Sequence, residues 1–114
     1  TDIDDLQAFM ATGAGGLLDL VRKCRVVLET YCKSTYPASF AAHDWLGDIV
    51  GKIRAGGDQH PAQALYDELD QINGYTSQYH HGEDVSDATP DQIDPNELTG
   101  FVRRTLRVVN ALQA

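Results

Sequence analysis

The chain lacks most of the features that announce a function. It has no apolar run near the roughly 18 residues a membrane span needs. It has no basic, then apolar, then small-residue opening of the kind that marks a secretory leader. Its two cysteines form no CxxC or zinc-finger spacing. Tryptophan and methionine occur once each. The glycine cluster Gly13-Ala14-Gly15-Gly16 has no Lys-Ser/Thr after it, so it is no nucleotide-phosphate loop. No stretch alternates as a half-buried strand does, and no internal repeat is present. Positive charge is scarce, with 9 Lys and Arg against 17 Asp and Glu, a net charge of -8. A surplus of acid argues against a dedicated duplex binder.

What is present fits one helical domain. The 114 residues suffice for one core, and 42% of them are apolar. The acid is uneven: the balance is -1 over residues 1–57 and -7 over residues 58–114. Local basic clusters stand at Arg22, Lys23 and Arg25 and at Arg103, Arg104 and Arg107. The chain opens on Thr1 rather than Met, and we read residues 1–114 as a single helical domain, a C-terminal fragment of a longer protein. Cys24 and Cys32 fall on one predicted helix, about 12 Å apart at about 1.5 Å per residue. A disulfide needs about 4.4–6.8 Å between Cα atoms, so they are expected as buried free thiols in a reducing compartment.

Periodicity predicts an all-α antiparallel bundle of four main helices with a short leading helix. Ile3, Leu6, Phe9 and Met10 give the leading helix one apolar face. The second runs from about Leu17 to Tyr36 and stops at Pro37, with Leu17, Leu20, Val21, Cys24, Val27, Leu28 and Tyr31 inward. The third is expected over Ala42–Arg54, burying Trp45, Leu46, Ile49, Val50 and Ile53, with Gly47 and Gly51 allowing a neighbour to approach. The fourth should open at His60-Pro61 and bury Ala62, Leu65, Leu69, Ile72, Thr76 and Tyr79. Residues 83–94 carry five acids and no base and read as a solvated acidic loop, without calcium-loop spacing. Asp94-Pro95-Asn96-Glu97 is a strong helix start, and the last helix should bury Leu98, Phe101, Val102, Thr105, Val109 and Leu112.

One constellation could carry chemistry. Arg25 and Glu29 lie at the border of the second helix's apolar stripe, one turn apart. Tyr66, Asn73 and His80, spaced by seven, line the border of the fourth. If these helices pack side by side, Arg25, Glu29, Asn73 and His80 meet in a polar groove. There His80 would act as acid or base, Arg25 would stabilise charge on a phosphodiester, and Glu29 would set the His80 tautomer. The plainer alternatives are a solvated Arg25–Glu29 pair and a polar seam that satisfies buried hydrogen bonds. His80, His81 and Asp84 form a weaker metal candidate, because adjacent helical histidines diverge by about 100°. No metal and no cofactor is expected.

The run from Arg25 to Pro37, with Arg25, Leu28, Glu29, Tyr31, Tyr36 and Pro37 at its marked positions, resembles a stretch near the C-terminus of large ATPases. These are AAA-family proteins with an SMC/ABC-like head, of the anticodon-nuclease and phage-defence type. Ile72-Asn73, Thr76 and His80, with the acidic loop and the helix from Asp94, resemble a later helix, acidic loop and final helix of those chains. The layout is also similar to HEPN-type bundles, whose nucleases carry a polar residue and a histidine on one helix at a dimer interface. Here Asn73 precedes His80 by six intervening residues, and Arg25 would have to be supplied from another helix. The resemblance implies a cytoplasmic, bacterial effector or accessory domain, attached to an ATPase head in its parent chain. Its implied partners are RNA, a second copy and that head, and its implied activity is metal-independent RNA cleavage. No ATP motif lies in these residues. The rival expectation is a non-catalytic oligomerisation or protein-docking module, with Trp45, Tyr75 and Leu106 as exposed anchors.

Overall fold

The computed structural model describes residues 1–79 and 92–113. The protein is all-α: no strand occurs among the described residues. These residues form five α-helices in order: α1 (Asp2–Thr12), α2 (Leu17–Thr35), α3 (Leu46–Gly56), α4 (Tyr66–Ser77) and α5 (Pro95–Val108). Two single-turn 3-10 segments, Gly57–Gln59 and Gln63–Leu65, join α3 to α4.

Local chemistry sets most of these ends. The Thr1 hydroxyl accepts the Asp4 N–H, and Asp2, Asp4 and Asp5 place negative charge at the positive end of α1. Gly13, at φ 76°, closes α1 in the left-handed conformation that glycine adopts without steric cost. The Asp94 carboxylate accepts the Asn96 N–H at 2.9 Å, and Pro95 begins α5 where its missing N–H costs nothing.

The helix α2 packs against all four others and feeds two cores. Leu20, Val21, Cys24 and Val27 join Leu6, Phe9, Tyr75, Leu98, Val102 and Leu106 in the first. Leu28 and Cys32 join Phe40, Leu46, Ile49, Ile53, Leu69 and Ile72 in the second. The early turns of α2 thus share a core with the end of α4, and its later turns share one with the start of α4. The two helices run antiparallel, as the bundle reading expects.

Several boundaries differ from expectation. The third helix begins at Leu46, not Ala42, because Asp44 makes a turn there instead: its carboxylate accepts the Ala41 N–H at 2.8 Å and pairs with Lys52 at 2.5 Å. Trp45 becomes the residue before the helix and is 67% exposed, not inward. The fourth helix begins at Tyr66, not at His60-Pro61. His60 Nδ1 accepts the Ala62 N–H at 3.0 Å, which holds this segment in turns, yet Ala62 is buried as expected. Leu112 lies beyond α5 and is 38% exposed. Gly47 and Gly51 are not close-approach sites: a Cβ at Gly47 would meet only Asn73 Oδ1 at 4.0 Å, and one at Gly51 nothing within 4 Å. The leading helix is as long as α3, at 11 residues each.

Candidate functional site

Two of the four residues expected to form a site, Arg25 and Asn73, come together where the two cores meet. Arg25 extends from α2 toward α4, and its Nη1 donates to Asn73 Oδ1 at 3.0 Å and to Thr76 Oγ1 at 2.8 Å. Thr76 in turn donates to the carbonyl of Ile72 at 2.8 Å. Glu29 does not meet Asn73. Its Oε2 accepts the Leu46 N–H at 2.7 Å, the first N–H of α3. Helix starts leave such donors without an intrahelical partner, so α2 caps α3 through this carboxylate. Asp48 completes that start by accepting the Trp45 N–H at 2.9 Å.

The solvated-pair reading of Arg25 and Glu29 is overturned by burial. Arg25 is 8% exposed and Glu29 7%. Stripe position implies this only if the border faces another helix, and α3 and α4 supply that cover. The two side chains make no ion pair within 4.0 Å, but each feels the other's charge. Burial pushes the Glu29 carboxyl above its ordinary value, opposed by the Leu46 N–H and then by Arg25 and Lys33. Burial likewise lowers Arg25, opposed by Glu29. A guanidinium keeps its proton through such a shift.

His80 lies beyond the last residue of α4, Ser77. His80, His81, Asp84 and the acidic stretch 83–91 fall outside the described residues. Among the described residues, no group of three His, Cys, Asp or Glu side chains is placed to hold a metal ion. Cys24 and Cys32 are fully buried free thiols, pushed up to about 11 by burial, which leaves neither as a nucleophile near neutral pH.

The anchors expected for a docking face divide. Tyr75 and Leu106 are buried, at 5% and 0% exposed, and are core residues instead. Tyr75 stacks on Phe101 with ring centroids 4.0 Å apart. Trp45 alone of the three is exposed, and Val26 on the outer face of α2 is 44% exposed. The two line a hollow of about 160 Å³ with Arg22, Arg25 and Glu29. On the other side of Val26 lies a hollow of about 370 Å³, floored by Ile3, Val27, Tyr31 and Val109. The apolar stripe expected for the second helix omits Val26, and nothing local in the sequence signals that Trp45 precedes a helix rather than lying within it.

Two polar links have no local signal. Arg104 of α5 binds Glu68 of α4, with Nε at 2.7 Å, and Lys52 holds the buried Asp44. Arg103 and Arg107 of the basic cluster are exposed. No helix among the described residues is long and apolar enough to cross a membrane. No family model, curated protein or solved structure matches the chain.

Proposed function

We propose that this domain is a non-catalytic docking module whose contact face is the outer side of α2 around Val26 and Trp45. The observation that carries the reading is the 67% exposed indole of Trp45 beside the 44% exposed Val26, between two apolar hollows. Tryptophan is enriched at the energetic centres of interfaces, where its area is buried on binding. The polar groups that could carry chemistry already have structural work. Arg25 ties α2 to α4, and Glu29 caps α3. Buried free thiols suit a reducing compartment, which agrees with a cytoplasmic location.

Photo-crosslinking tests the reading. In cells that express the protein, p-benzoylphenylalanine at position 45 should give one discrete adduct, competed by excess wild-type domain. The same probe at position 107, exposed on α5, should not. Equal labelling from both positions, or none from either, rejects the docking face. Sedimentation separates the occupants: a dimer lost in Trp45→Ala marks a second copy, and a monomer marks a different protein, such as the head of a parent ATPase.

A second reading is RNA contact or cleavage by a HEPN-like domain in phage defence, which the resemblance motivates. The Arg25–Asn73 hydrogen bond favours it, since it joins two of the four residues that reading needs. Arg25 would face phosphate and His80 would move the proton. Incubation with tRNA and mRNA tests it, with His80→Ala as the control. Wild-type protein that neither binds nor cuts RNA ends this reading.

A further inference from the structure

The face around Val26 carries both halves of a contact. Trp45 stands out on one flank, 67% exposed, with its backbone N–H on Asp48 and its indole N–H without a partner among the described residues. The hollow of about 370 Å³ opens on the other flank, and Val26 borders both. Ile3, Val27 and Val109 give this hollow an apolar floor, while the more exposed Asp2, Thr30 and Ser34 add carboxylate and hydroxyl oxygens. An indole is a large apolar ring with a single donor, and it settles where apolar surface meets an acceptor. The lining therefore has the chemistry of a tryptophan socket. Charge bears on what brings the indole. Copies of a chain with net charge -8 repel one another. Residues 1–57, which supply this whole face except Val109, balance to -1. Beside Trp45, Arg22 and Arg25 offset Glu29 and Asp48. Such a near-neutral face lets two copies of an acidic chain meet and gives a strongly charged partner little to hold.

Resting on the docking reading, we infer that the occupant of this face is a second copy of the chain, with each Trp45 entering the other copy's hollow. A knob and a socket on one face are exchanged by the two-fold axis that bisects the line between them, so one rotation makes both contacts. Val26, which borders both, then meets its counterpart near the axis. Two indoles at 67% of about 150–250 Å² each, with an equal area of lining, bury about 400–700 Å². Stable complexes bury about 1,200–2,000 Å², so this dimer is weak and exchanges with the monomer.

Two variants divide the contact between them. Trp45→Ala keeps the socket and loses the knob, whereas Thr30→Arg keeps the knob and lays a long charged side chain over the socket. Both positions are exposed, so the fold should survive either change. Each variant alone should sediment as a monomer at concentrations where the wild type dimerises, and a mixture of the two restores one of the two contacts. Trp45 is the only tryptophan, so Trp45→Ala protein is silent and the emission of Thr30→Arg protein reports its own indole. Excess Trp45→Ala protein should move that emission to the blue, with saturation, as the indole leaves water. The double variant Trp45→Ala/Thr30→Arg, whose socket is blocked, should leave it unmoved. No shift with either protein, or an equal shift with both, overturns the inference. A discrete cross-link from position 45 to a different protein, without the shift, rejects the second copy and leaves the docking reading standing. Loss of both the cross-link and the shift rejects the two together.

Discussion

Glu29 of α2 accepts the first backbone N–H of α3, from Leu46, at 2.7 Å. A side chain seventeen residues upstream thereby does what a neighbouring Ser or Asp does at most helix starts. Trp45, at that capping position, offers no acceptor of its own. Replacing Glu29 with Ala leaves the buried Leu46 N–H unpaired and should cost about 1–3 kcal/mol. Glu29→Gln keeps an acceptor oxygen and should cost less. Urea denaturation of the two variants checks the order, and a Gln variant no more stable than the Ala variant contradicts the cap.

The same carboxyl gives stability a pH dependence opposite to that of Asp44. Burial raises Glu29 above its ordinary 4.5, so between that value and its folded pKa the folded chain holds the extra proton. Stability from Glu29 therefore falls as pH rises through this window and is gained on acidification toward 4.5. Asp44 is lowered from 3.8, first by Lys52 and then by the Ala41 N–H. Its contribution is present above 3.8 and is lost as pH falls through the folded value. Carboxyl NMR titration should find the Glu29 midpoint above 4.5 and the Asp44 midpoint below 3.8. Glu29→Gln should abolish the gain on mild acidification and keep the loss at lower pH.

Gly51 sits inside α3 with open space where a Cβ would stand. Alanine there should stabilise the fold by about 0.5–1 kcal/mol, through helix propensity and a less free unfolded chain. Thermal unfolding should move up by a few degrees, at roughly 4–8 °C per kcal/mol for a small domain. An unchanged or lower midpoint would mean that the face of Gly51 is covered in solution.

Cys24 and Cys32 should resist alkylation. Each is fully buried with its thiol pushed up to about 11, so access and thiolate fraction both oppose reaction. A thiol reagent at neutral pH should label neither in native protein and both in urea. Prompt labelling of Cys32 alone would point to local opening of the second core.

The helical class is legible in the sequence because the apolar spacing along Leu20–Leu28, Leu46–Ile53 and Leu98–Leu106 is strongly periodic. The start of α5 is legible because Asp94-Pro95 is a local signal, and local signals survive folding. The start of α3 is not, since its cap comes from Glu29 on another helix. Trp45 misleads for a related reason: an apolar residue one position before a helix continues its pattern without belonging to it. Of the site, the border spacing does bring Arg25 to Asn73, a relation that seven-residue periodicity can carry. The task given to Glu29 has no sequence signal, because it depends on how α3 docks.

Because Leu28 and Val27 are adjacent yet enter different cores, the domain has no seam along which one half can melt and leave the other standing. Hydrogen exchange in α1 and in α3 should report a common global unfolding event, although these helices draw on separate cores. A partner gripping the outer face of α2 would hold a helix shared by both halves, and its grip would register as slowed exchange at the opposite ends of the molecule.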